Sequence, residues 1–143
     1  MRPFLFLLLL ALSGCFFPTT QVPYEPHPEQ IRDPLGVLKE TIEAQHSCAK
    51  GYDVALVGHV VRYTSRCEDG NGGARERTDV DLDFIVDIRI ELGDWAQIVL
   101  VRRQGKEDDP AVLRADSPEA ARRVADALLA LRDSSGAAIP QRW

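Results

Sequence analysis

Between positions 80 and 92 the chain alternates with a period of two. Val80, Leu82, Phe84, Val86, Ile88, Ile90 and Leu92 fall on one side, and Asp81, Asp83, Ile85, Asp87, Arg89 and Glu91 on the other. Alternation over that length predicts a long β-strand, or two strands joined at a bend, with one face against a core. Leu92-Gly93-Asp94-Trp95 follows as a compact hairpin turn. In the register this turn implies, Ile88 opposes Val99 and Val86 opposes Val101; the other face pairs Arg89 with Ile98, Asp87 with Leu100 and Ile85 with Arg102. Ile85, Ile98 and Leu100 then stand as three apolar residues on the polar face. They are a candidate partner surface, to be covered by the first helix or by another protein.

A helical period governs the C-terminal part. Ala121, Val124, Ala125, Leu128 and Leu131 recur on one stripe, with Arg122, Arg123, Asp126 and Arg132 outside it. Ser117-Pro118-Glu119 supplies a cap, a first-turn proline and an early acid in the favoured order, so an amphipathic helix is expected over about 117–133. Asp33-Pro34 opens an earlier helix in the same way, expected over about 34–47, with Leu35, Leu38 and Ile42 on one stripe. Its end near His46 would let that side chain meet the negative end of the helix dipole.

The stretch from Tyr52 to Ser65 is rich in β-formers but alternates poorly as one strand. If Gly58-His59 is a two-residue type II′ turn, Leu56 faces Val61, Val54 faces Tyr63 and Tyr52 faces Ser65, and one surface becomes mostly apolar. A bulge or bend at Gly58 is the competing arrangement. Ala111 to Arg114 form a further short strand. The whole predicts an α+β domain over 33–133: an antiparallel sheet of four to six strands, flanked by the two helices and followed by a tail at 134–143.

The N-terminus has a different character. Arg2 precedes an unbroken apolar run from Phe4 to Leu12, too short to span a bilayer, which reads as a secretory signal. Leu12-Ser13-Gly14-Cys15 resembles the lipobox of bacterial lipoproteins. That resemblance implies removal of residues 1–14 and attachment of several acyl chains, palmitate among them, to Cys15, which together anchor a protein durably in a membrane. Phe16, rather than aspartate, follows the cysteine, a pattern compatible in Gram-negative members with the periplasmic face of the outer membrane. Residues 16–32 contain Pro18, Pro23, Pro26 and Pro28 and are expected to form an extended tether reaching up to ~50 Å.

Without Arg2, 16 Lys and Arg remain against 22 Asp and Glu, a formal charge of −6. That balance argues against nucleic acid and against a polybasic grip on anionic lipid. Cys48 and Cys67 remain after lipidation of Cys15. In an exported chain they are expected to form a disulfide rather than a redox couple, since neither belongs to a Cys-X-X-Cys motif. The hairpin at Gly58 would bring them within bridging distance.

Candidate chemistry is sparse. In the loop from Glu68 to Gly73, an EF-hand counted from Asp69 would place Val80 where Glu is needed and Ala74 where Gly is needed, so a hairpin loop is expected. The row Asp79, Asp81, Asp83 and Asp87 reads as the wet side of a half-buried strand. His27 belongs to the tether and His59 to a hairpin tip. No metal site, cofactor site or catalytic constellation is expected. Strands followed by a Ser-Pro-Glu-initiated terminal helix look like a pleckstrin-homology-type roll, a likeness of topology that carries no functional residue across. The chain therefore reads as a membrane-anchored envelope lipoprotein, a non-catalytic binding, adaptor or structural module with an envelope protein as possible partner. The alternative is an envelope enzyme with an unrecognised active site.

Overall fold

The long alternating run is two strands, not one. In the computed structural model, which describes residues 19–46, 50–66, 75–93, 96–102 and 112–135, a 3₁₀ turn at Leu82–Phe84 interrupts it. The described residues form β1 (Thr20–Val22), α1 (Pro34–Glu43), β2 (Gly51–Val57), β3 (Val60–Arg66), β4 (Arg75–Asp81), β5 (Ile85–Leu92), β6 (Ala96–Arg102), β7 (Val112–Ala115) and α2 (Pro118–Ser134). A second 3₁₀ turn lies at Pro28–Gln30. All strand pairs are antiparallel, in two sheets ordered β2-β3-β4 and β1-β5-β6-β7. The α+β class and both helices are as the sequence implies; the strands divide between two sheets.

The β2–β3 hairpin turns at Gly58-His59. Gly58 has φ +62°, and His59 has no positive φ, the signs a type II′ turn needs. Val57 pairs with Val60 and Leu56 with Val61. Beyond Ala55 a bulge shifts the register, so Tyr52 pairs with Thr64 and not with Ser65. Asp53, in the bulge, takes φ +55°, a left-handed conformation that Asp tolerates better than most residues.

The turn at Leu82–Phe84 also resets which side chains face inward. Asp81 caps it by accepting from Asp83 N at 3.1 Å, and Leu82 N donates to the His59 carbonyl at 2.9 Å. Val80 and Leu82 are buried, but the strand resumes out of phase: Ile85 is 1% exposed and Val86 37%. A second irregularity, between Ile85 and Asp87, returns Ile88 and Ile90 to the core. The β5–β6 register differs accordingly from the expected one. Ile85 pairs with Arg102 as expected, but Asp87 pairs with Val101, Ile88 with Leu100, Arg89 with Val99 and Ile90 with Ile98. The cause is the loop: Leu92 pairs with Ala96, so three residues connect the strands rather than two.

Asp33 caps α1 by accepting from Gly36 N at 3.0 Å. The helix stops at Glu43, short of 47, because the chain is drawn toward the β7–α2 connection: Gln45 Oε1 accepts from Asp116 N at 3.0 Å, and His46 N donates to Asp116 Oδ2 at 2.6 Å. His46 is thus held beyond the helix by its backbone. Ser117 caps α2 by accepting from Ala120 N at 3.1 Å. Buried positions on α2 include Ala127 and Leu129 beyond the expected stripe, because the helix lies against β5, β6 and β7 on one side and α1 on another. Arg132, expected outside, is only 15% exposed at its side chain and donates to the Ile85 carbonyl at 3.2 Å.

Part of the proline-rich stretch is docked and not a free tether. Thr20, Gln21 and Val22 pair with Leu92, Glu91 and Ile90. Tyr24 Oη donates to Asp126 Oδ1 at 2.8 Å and His27 N to the same oxygen at 2.9 Å. Val22, Tyr24 and Ile31 pack against the core cluster. Prolines suppress regular internal structure, but they leave an edge strand and side-chain anchors open to the segment.

Candidate functional site

The two helices meet at an open groove of ≈ 520 Å³, lined by Glu40, Thr41, Ala44 and Gln45 from the α1 side and by Asp116, Ser117, Glu119, Ala120 and Arg123 from the α2 side. Thr41 lies on the inward side of α1, three positions after Leu38, and Gln45 just beyond the helix end; both are buried. The Gln45–Asp116 bonds close one end, and Arg123 Nη2 approaches Glu40 Oε2 at 3.4 Å across the rim. Among the described residues Thr41 Oγ1 is a buried oxygen without a hydrogen-bond partner. The lining holds three carboxylates against one guanidinium, so it attracts cationic groups. The hydroxyl of Ser117 is committed to the helix cap. A second hollow of ≈ 510 Å³ runs along α1 past Asp33, Gly36, Lys39 and Glu43.

The residues singled out from sequence do not converge on this groove. Ile85 lies in the core beneath α2 and is no part of a surface, which corrects that element of the expected partner face. Ile98 and Leu100 pair through the backbone with Ile90 and Ile88, both core residues, instead of with Arg89 and Asp87. Cys15, Cys48, Cys67 and the 68–73 loop lie outside the described residues. His59 Nδ1 is 3.5 Å from Asp83 Oδ1, but both side chains are about half exposed, and neither lines the two hollows above. His27 Nδ1 meets Glu29 at 3.3 Å, also on the surface.

The aspartate row disperses into separate structural roles. Arg77 and Arg62 both bind Asp79, at 2.8 and 2.9 Å, and these hydrogen bonds hold its carboxyl well below the usual carboxylate range. Asp81 caps the 3₁₀ turn, Asp83 faces His59 and Asp87 accepts from Ile88 N. Among the described residues no three His, Cys, Asp or Glu side chains are grouped as metal ligands.

The groove was not visible in the sequence, since Glu40 and Arg123 are 83 residues apart. The local signals were Thr41 and Gln45, polar residues three and seven positions after Leu38 beside the apolar stripe of Leu35, Leu38 and Ile42. Comparison with known proteins finds no matching family model, no matching curated protein and no matching solved structure.

Proposed function

We propose that this protein is a lipid-anchored lipoprotein of the bacterial cell envelope, acting as a non-catalytic binding or adaptor module. The observation that carries the reading is the position of Cys15. The lipobox-like Leu12-Ser13-Gly14-Cys15 ends five positions before Thr20, the first residue of β1. Cleavage before Cys15 removes the apolar run and leaves every described element in place. Among the described residues no helix is long and apolar enough to cross a membrane, so an acyl anchor is the means of attachment that the sequence offers.

Export also supports a Cys48–Cys67 disulfide. Gly51 and Ser65 are Cα partners on adjacent strands; in the sequence Cys48 comes three positions before Gly51 and Cys67 two after Ser65. The role as a binding module rests on the open groove between the helices and on the absence of a nucleophile paired with a base among its lining residues.

Metabolic labelling with a clickable fatty acid, combined with membrane fractionation, tests the anchor. The wild-type chain is expected to carry the label and sediment with membranes, and Cys15→Ser to lose both properties. An unlabelled, freely soluble wild-type protein overturns the reading. Alkylation of unreduced protein followed by intact mass measurement tests the bridge, which fails if two thiols react.

A further inference from the structure

With Cys15 at the bilayer, as proposed above, the fold leaves almost no leash. Thr20 is already paired with Leu92 at the edge of the four-stranded sheet. A fully extended chain spans ~3.3–3.6 Å per residue, so Thr20 lies within about 18 Å of the anchored residue. No slack is recovered further along. Gln21 and Val22 continue the ladder, Tyr24 and His27 hold Asp126, and the Pro28–Gln30 turn packs against α2.

The pole where the leash attaches presents an exposed apolar side chain. Leu92, opposite Thr20, is 41% exposed, and Thr19 Cγ2 stands 3.5 Å from where a Cβ on Gly93 would be. Thr19, Thr20, Leu92 and Gly93 carry no charge, nor does the link Phe16-Phe17-Pro18. Glu91 and Asp94 flank Leu92 and Gly93 in the sequence, so it is the short covalent leash, and not a lack of charge, that holds this pole beside a bilayer.

We propose that Thr19, Thr20, Leu92 and Gly93 form a membrane-apposed surface that seats the domain directly on the lipid, with Leu92 at the interface. The occupant is a lipid surface because the covalent leash holds this pole beside one. The inference rests on the lipid anchor. Its consequence is an orientation: Val86, six residues back along β5 and also exposed, lies ~20 Å farther from the bilayer.

The test uses the full-length lipidated protein in phosphatidylcholine vesicles that contain a nitroxide-headgroup lipid. A fluorescent amino acid replaces Leu92 or Val86 in turn, both exposed positions that leave the core untouched. Strong contact quenching is expected at 92, with its loss at 86. A Gly-Ser insert of about 15 residues between Phe17 and Pro18 should abolish the quenching at 92, because a flexible linker of that length frees the domain from the surface. Equal quenching at both sites, or none at 92 in vesicle-bound protein, overturns the orientation while leaving the anchor standing. Flotation of the same samples reads the anchor separately: wild-type protein that fails to float overturns the anchor reading and this inference with it.

Discussion

At the scale of single residues, two positions on the inner side of the molecule make opposite predictions. A Cβ on Gly51 would lie 2.4 Å from Ile42 Cγ2 and 2.7 Å from Tyr63 Cδ2, so α1 and β3 approach each other across a position that tolerates no side chain. Gly51→Ala forces one of them to move and is expected to cost about 1–3 kcal/mol, as overpacked cores do. In a domain of this size each 1 kcal/mol lowers Tm by roughly 4–8 °C, which a thermal melt resolves. Thr41 lies on the same helix face but presents the reverse problem, a buried hydroxyl without a partner among the described residues. Valine keeps the β-branched shape and removes the oxygen. Thr41→Val is expected to raise stability by about 1 kcal/mol, the lower end of the cost of a buried unsatisfied polar group. A lowered melting temperature would mean that the hydroxyl is satisfied in solution.

At the scale of elements, one side chain takes both hydrogen bonds that fasten the docked N-terminal segment to α2 beyond the β1 ladder. Asp126, on α2, accepts from both Tyr24 Oη and His27 N. Removing the phenolic donor with Tyr24→Phe leaves the ring in place, and Asp126→Ala removes both bonds. Hydrogen exchange is expected to speed up over 20–27 in both variants, more in Asp126→Ala, while the amides of β3 keep their protection. Equal loosening throughout the domain would show instead that the segment is part of the global folding unit. This element is also the clearest case of what could not be read in advance. Pro18, Pro23, Pro26 and Pro28 rightly exclude regular structure over most of the stretch, yet three residues between them complete a sheet edge through tertiary contacts that no local pattern encodes. The helices were legible because Asp33-Pro34 and Ser117-Pro118-Glu119 are local capping signals, and the Gly58-His59 turn because glycine alone takes its φ without strain. The phase of β5 was not legible: a three-residue turn and a bulge each flip the alternation, and the run of Val86, Ile88 and Ile90 looks the same on either face. The groove between the helices was hidden because its lining comes from two segments far apart in the chain, and only Thr41 and Gln45 set polar side chains beside an apolar stripe.

At the scale of the whole molecule, two tyrosines tie the fold to alkaline pH. Burial pushes the Tyr63 phenol up from 10.0 to about 12, with the Glu76 carboxylate adding to the rise and the Thr78 hydrogen bond partly opposing it. Burial, followed by the Asp126 hydrogen bond and the Asp126 and Asp87 charges, raises Tyr24 further still. Both folded-state values lie above the unfolded one, so the folded protein binds the phenolic protons more tightly. The associated stability is complete below pH 10 and declines as pH rises through the folded-state values. For Tyr63 a rise of two pH units corresponds to on the order of 2–3 kcal/mol at ~1.4 kcal/mol per unit. That is a sizeable part of the ~5–15 kcal/mol that holds a domain together, so the effect should dominate the alkaline limb of the stability profile. Denaturant midpoints measured from pH 8 to 12 are expected to fall above pH 10. Tyr63→Phe lowers the plateau through its lost hydroxyl contact and reduces the slope between pH 10 and 12 by its own share, leaving the share of Tyr24, whose unfolded-state phenol also ionises from pH 10. Tyr24→Phe, at the edge of the core, removes the part of the decline that continues at the highest pH. A slope unchanged in both variants would place the alkaline transition elsewhere and break the link between the buried phenols and the stability of the fold.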